Sequence, residues 1–210
     1  MLPTPQVIVT PETGSSNITG PSDCSAVIRF AHDGKNLYVQ AIKFDDRVAL
    51  HQPSGKFYLQ DGIEMSINSF TAGFKFNVTH TTDMGDMIMR DRFYSKPVYF
   101  SSERAPRKVT VLDNAADVEE RKLIENLYNV DLSKCKVIVT EFMIPLDDES
   151  FTIDGKVEQK PVATPGSTMR VGVLVDDNDL PGADLQKYEV WPATYGTFSG
   201  PEMSALATFE

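Results

Sequence analysis

The stretch Ile63-Glu64-Met65-Ser66-Ile67-Asn68 alternates apolar with polar residues at every step. Successive side chains of a strand point to opposite faces. Ile63, Met65 and Ile67 are therefore predicted to enter a core, while Glu64, Ser66 and Asn68 face outward, with Glu64 on an accessible sheet face. The period of two returns at Phe74, Phe76 and Val78, and apolar-rich runs follow at Val137 to Phe142, Met169 to Val175, Tyr188 to Trp191 and Ala205 to Phe209. Each is of strand length. Upstream, Ala26 to Phe30 and Leu37 to Phe44 flank Asp33-Gly34-Lys35-Asn36. A turn-forming cluster between two β-rich runs predicts a hairpin.

One segment departs from this pattern. From Asp117, the run Val118-Glu119-Glu120-Arg121-Lys122-Leu123-Ile124-Glu125-Asn126-Leu127-Tyr128 places its apolar residues near a 3.6 spacing. It predicts a surface-packed helix over 117–128, capped by Asp113 or Asp117. Many strands, one inserted helix and no β-α alternation predict an all-β fold, an antiparallel, jelly-roll-like β-sandwich. Residues 1–22, rich in Pro, Thr, Ser and Gly, read as a partly ordered arm in which Val7-Ile8-Val9 adds an edge strand. Residues 23–210 read as a single domain, since sandwiches of roughly 200 to 250 residues are often undivided.

Hydrophobic residues make up 41% of the 210 and charged residues 24%, ordinary values for a folded chain. The formal net charge of −10 argues against a nucleic-acid groove or an anionic membrane surface, both of which need clustered Lys and Arg. No run of about 18 apolar residues predicts a membrane span. Cys24 and Cys135 are compatible with one disulfide and equally with two buried thiols. With His32, His51 and His80 scattered, they do not supply the paired ligands of a zinc site.

The inventory of reactive motifs is thin: no Gly-rich phosphate loop, no Gly-x-Ser-x-Gly elbow and no His-Glu-x-x-His. No catalytic residue is assigned, and the chain reads as a non-enzyme, although a carboxylate pair from distant strands needs no sequence signature. Asp176-Asp177-Asn178-Asp179 follows a strand, and Asp176, Asp177 and Asp179 are candidate ligands for a structural calcium ion, which takes six to eight oxygens. The same run also reads as a solvated acidic turn bonding nearby amides, as does Asp45-Asp46. Met84, Met87 and Met89 suit core gap-filling, with an axial haem ligand as the alternative.

Several segments, in order, resemble the family 9 carbohydrate-binding module. Leu37-Tyr38-Val39-Gln40-Ala41-Ile42-Lys43-Phe44-Asp45-Asp46 is similar to its strand ending in an acidic pair. Gln60-Asp61-Gly62-Ile63-Glu64 resembles its Asp-x-x-Glu strand, and Glu141-Phe142-Met143-Ile144-Pro145 its Glu-x-x-Ile-Pro segment. Arg170 to Asp179, Trp191-Pro192 and the closing strand complete a likeness over about residues 26 to 209. It implies a secreted, extracellular module whose leader has been removed, a polysaccharide or oligosaccharide partner of the glucan or xylan type, a linked glycoside hydrolase or other domains, and bound calcium. It also implies a slot in which two aromatic rings sandwich a sugar. Trp191 matches one aromatic, and Tyr58, six residues before Glu64, the other; Tyr58, Gln60 and Glu64 share strand parity. The expected ligand-binding residues are thus Trp191, Tyr58, Glu64 and Gln60. Two alternatives use the same sandwich: a structural or adhesive spacer in which Trp191 and Tyr58 fill the core, and a haem-binding redox domain.

Overall fold

In a computed structural model the described residues are 6–9, 18–49, 61–68, 70–76, 84–91, 98–100, 103–153, 156–157, 160–179, 187–191 and 205–210. They form two antiparallel sheets. The first runs in the order β1 (Gln6–Val9), β2 (Cys24–His32), β3 (Asn36–Asp45), β9 (Lys136–Pro145) and β8 (Arg107–Leu112). The second runs β13 (Lys187–Trp191), β12 (Thr168–Asp177), β4 (Gly62–Ile67), β5 (Phe70–Phe76), β6 (Met84–Asp91) and β7 (Val98–Phe100). A last strand, β14 (Ala205–Thr208), shares one edge of β12 with β13: β14 pairs with Thr168 to Val171, and β13 with Val173 to Asp177. A small hairpin, β10 (Thr152–Ile153) and β11 (Lys156–Val157), lies apart.

Strand parity fills the space between the sheets. Ile28, Leu37, Val39, Phe142 and Ile144 of the first sheet meet Ile63, Met65, Ile67, Val171, Val173 and Val175 of the second in one buried cluster. The alternating stretch around Ile63 thus has the inward face expected of it. The arm contributes β1, which pairs with β2 at the sheet edge, as Val7-Ile8-Val9 predicts. The β2–β3 hairpin turns where expected: Gly34 takes φ 84°, and the Asp33 carboxylate accepts the Lys35 and Asn36 backbone N–H groups at 2.8 and 2.7 Å. An Asp that caps its own turn fixes the register of both strands.

The helix is shorter than its apolar period suggests. Helix α1 covers Arg121–Tyr128, and neither Asp113 nor Asp117 caps it; the N-cap is Glu120, with no side-chain cap bond. Residues 118–120 instead form tight i→i+3 turns, with Arg121, Lys122 and Leu123 donating to Val118, Glu119 and Glu120. Sequence periodicity does not distinguish such a 3₁₀ entry from the first α-turn. Asn129 closes the helix in the left-handed conformation at φ 53°. Ile124 is its fully buried anchor, packed with Val27, Ile42, Phe44, Val137, Ala115 and Leu132 in a second core. That core lies on the outer face of the first sheet, since Val27 and Ile42 alternate with the inward Ile28 and Ala41.

Cys24 and Cys135 are free thiols, both buried, one in each core. The disulfide alternative does not hold. Burial first, then the nearby carboxylates of Asp46 and Asp45, push the Cys135 thiol up to about 11.

Truncating Ile124→Ala is expected to destabilise the protein by about 2–5 kcal/mol, because it is the fully buried side chain by which α1 packs on the sheet. Urea unfolding of the wild type and variant checks it; a change under about 0.5 kcal/mol, the range of ordinary surface substitutions, would show that the second core does not depend on the helix.

Candidate functional site

The acidic pair at the end of β3 divides between two environments, because adjacent strand residues face opposite ways. Asp45 shares the inward parity of Leu37, Val39 and Ala41, and so does Lys43. The Lys43 ammonium is buried and lies 2.5 Å from Asp45 Oδ2, 2.7 Å from Asp61 Oδ1 and 3.3 Å from Asp177 Oδ1. Asp61 immediately precedes β4, and Asp177 ends β12, so three strands from both sheets converge on one cation. Backbone groups hold the acids in place: Arg47 N–H donates to Asp45 at 2.7 Å, Asn178 N–H to Asp61 at 3.0 Å, and Ala49 N–H to the other Asp61 oxygen.

Burial disfavours every charge in this group. It would lower Lys43, but Asp45, Asp61, Cys24 and Asp177 outweigh it and hold the ammonium well above the ordinary lysine range. Burial pushes Asp61 up to about 8 against the pull of Lys43, with Asp45 adding repulsion. Asp177 rises to about 6, again by burial, opposed by Lys43. One ammonium does not neutralise three buried carboxylates, so the group retains a proton that belongs to the cluster as a whole.

Asp46, facing the other way, joins Asp23 and Asp179, whose carboxylate oxygens all lie within 4.8 Å of one another. Asp23 is buried, Asp46 exposed and Asp179 intermediate. Thr19 N–H donates to Asp23 Oδ2 at 2.5 Å. The expected calcium trio of Asp176, Asp177 and Asp179 is thus distributed: Asp177 faces Lys43, Asp179 joins Asp23 and Asp46, and Asp176 belongs to neither group. The two groups differ as cation sites. Around Asp45, Asp61 and Asp177 the Lys43 ammonium lies within 3.3 Å of all three carboxylates and occupies the place a metal ion would take. Around Asp23, Asp46 and Asp179 the all-oxygen donor set and its spacing fit a calcium ion.

Among the expected sugar-binding residues, Glu64 lies on the face of β4 turned away from Met65, but at 7% exposure it is buried rather than accessible. Its register partner on β12, Leu174, is buried too, so this outer face is covered. Trp191 is the last residue of β13 and pairs with Val173, one position along β12 from Leu174. Its side chain lies outside the described ones, and Tyr58 and Gln60 lie outside the described residues. His51 and His80 do as well, while His32 packs edge-on against Phe209 at 4.8 Å. Sequence reading did not single out Lys43 or Asp23; the inward parity of Lys43 beside an acidic pair was the available signal.

No protein-family model matches this sequence, and neither does any curated protein. Solved structures do match its fold. A protein of Bacteroides uniformis ATCC 8492, described as a candidate carbohydrate-binding protein, superposes with a TM-score of 0.54 at 12% identity, over 99% of this chain and 87% of that one. A family 9 carbohydrate-binding module from Caldicellulosiruptor kristjanssonii, solved with glucose, superposes with a TM-score of 0.50 at 12% identity, over 97% and 84%. The class defined by fold is therefore the antiparallel β-sandwich. Within that class, the chain has a fold like that of the family 9 carbohydrate-binding modules.

The lysine cluster makes stability pH-dependent with a definite sign. An ordinary carboxyl in the unfolded chain releases its proton near pH ~4, whereas folded Asp61 holds it up to about pH 8. The folded state thus binds more protons across that window, and stability falls as pH rises through it, by at most about 1.4 kcal/mol per pH unit for one proton. Urea midpoints at pH 5 and pH 8 should show the decline in wild type and a flatter profile in Asp61→Asn. Lys43→Met should cost about 3–5 kcal/mol at neutral pH, because it leaves buried carboxylates without their cation.

Proposed function

We propose that this chain is a non-catalytic, secreted module that binds plant-type glucan or xylan, working beside a glycoside hydrolase or other domains of a larger protein. Trp191 and Tyr58 stack on a pyranose ring, and Glu64 and Gln60 bond its hydroxyls. Sugar rings present C–H patches suited to aromatic faces and hydroxyls that need fixed partners, so such a site combines the two residue types. What supports the reading is the fold, which is like that of the Caldicellulosiruptor module solved with glucose; in register Trp191 pairs with Val173 and Glu64 with Leu174, which sets the two near in backbone but on opposite faces of the sheet by strand parity. Their backbones are therefore about 10 Å apart, two interstrand spacings. The glucose bound in the Caldicellulosiruptor module supports a glucose-type ligand for this reading.

A scaffold reading has one observation in its favour: Val173, the register partner of Trp191, is a core residue. The two readings separate experimentally. Trp191 is the single tryptophan, so its fluorescence during titration with gluco- and xylo-oligosaccharides is assignable. A saturable change, with an affinity loss of about tenfold or more in Trp191→Ala at unchanged melting temperature, is the expected result. A lowered melting temperature, with no saturable change for any of these sugars, would replace the binding role with the scaffold one.

Calcium belongs to the same proposal, held by Asp23, Asp46 and Asp179 as a clamp between the segment before β2, the end of β3 and the turn after β12. Added calcium should raise the melting temperature over that in chelator. Asp46→Ala, at the exposed member of the three, should abolish that increment while leaving the calcium-free melting temperature unchanged.

A further inference from the structure

Helix α1 and its flanking turns cover only part of the outer face of the first sheet. Beyond Val27, Ile42 and Val137, the same face continues as an open groove of about 820 Å³, lined by the outward residues Ala31, Tyr38, Gln40, Glu141 and Met143. Across it runs one row of register partners from four strands: Arg29 on β2, Gln40 on β3, Glu141 on β9 and Lys108 on β8. Three interstrand spacings make this row about 14 Å long.

The row is preorganised. Arg29 Nη1 donates to Gln40 Oε1 at 3.3 Å, and Gln40 Nε2 donates to Glu141 Oε1 at 3.1 Å. Glu120, at the start of α1, grips Arg29 from the covered side. Beside the row, Tyr38 stands between Ala31 and Met143 and is 40% exposed. Its hydroxyl donates to Asp33 Oδ2 at 2.8 Å, which ties the ring to the hairpin turn. An exposed aromatic ring fixed in place, next to an amide, a carboxylate and a guanidinium in line, has the chemistry of a sugar platform.

Charge narrows the ligand. On the outer face Arg29 is paired with Glu120 and Glu141 accepts from Gln40, which leaves Lys108, at the end of the row, as the cation placed to meet an acidic ligand, on a chain whose net charge is −10. That suits an occasional carboxylate rather than a polyanion of phosphate density, which needs many cations.

We propose that this face is a second glycan-binding surface, and that its ligand is a uronate-bearing oligosaccharide. Tyr38 stacks on a ring, Gln40 and Glu141 bond hydroxyls, and Lys108 receives the carboxylate. The site lies on the opposite sheet from Glu64 and Trp191 and stands independently of the neutral-glycan reading.

The experiment is calorimetric titration of the full chain with trigalacturonate, and with cellotriose as the neutral counterpart, at low and high salt. Trigalacturonate should bind saturably and more weakly at high salt. Its affinity should fall about tenfold or more in Tyr38→Ala and severalfold in Lys108→Ala. Tyr38→Phe, which keeps the ring and loses the Asp33 bond, should retain most of the binding and so guards against a folding defect in the alanine variant. Trp191→Ala should leave it unchanged. Absence of saturable binding by wild type, indifference to both Tyr38→Ala and Lys108→Ala, or loss of trigalacturonate binding in a Trp191→Ala variant that melts as the wild type does would each overturn the proposal.

Discussion

Lys43 projects from β3 toward the interior, where an ammonium without partners would be far too costly to bury. Its partners come from separate places in the chain: Asp45 two residues on, Asp61 at the entry to β4, and Asp177 at the exit of β12. The end of the sandwich is therefore defined by charge, while its middle is packed with Ile, Val, Leu, Met and Phe. An apolar core tolerates small slips of one sheet over the other; a cation with short, directed bonds to both sheets does not. The crossing from β3 to β4 is closed at the same point, where Asp61 N–H donates to Ala49 O at 2.9 Å and the Asp61 side chain accepts from Ala49 in return.

Strand parity also explains how one dipeptide takes part in two structures. Asp45 faces the interior and its lysine; Asp46 faces outward and its own acidic neighbours. A strand that ends in two acids thus supports the sheet junction with one and a candidate calcium site with the other. The same rule separates Val173 from Leu174 on β12, the two positions paired with Trp191 and Glu64.

The elements with strong alternation were legible before any coordinates: the stretch around Ile63, the hairpin at Asp33, β9, β12 and the edge strand at Val7 to Val9. Strand β8, Arg-Lys-Val-Thr-Val-Leu, was not, because its basic start hides an inward pair, Val109 and Val111, that becomes visible only against β9. The onset of α1 was misplaced because tight turns and an α-helix share nearly the same apolar spacing over four residues. Glu64 was expected to be accessible, since parity gives the face but not what covers it. The clusters around Lys43 and Asp46 were illegible for a related reason. Each joins segments more than a hundred residues apart, and no local pattern announces which distant acids will converge.

Neither core contains a sulfur–sulfur bond. Cys24 and Cys135 sit among different sets of side chains, and the thiol of Cys135 is kept protonated by its surroundings, so it is a poor nucleophile for exchange. Between its cysteines the fold is held by packing, backbone ladders and one internal ion cluster, none of which changes with redox potential. Maturation consequently needs no oxidant and no isomerase to sort this pair of cysteines, and transfer between reducing and oxidising compartments leaves the architecture indifferent to the change.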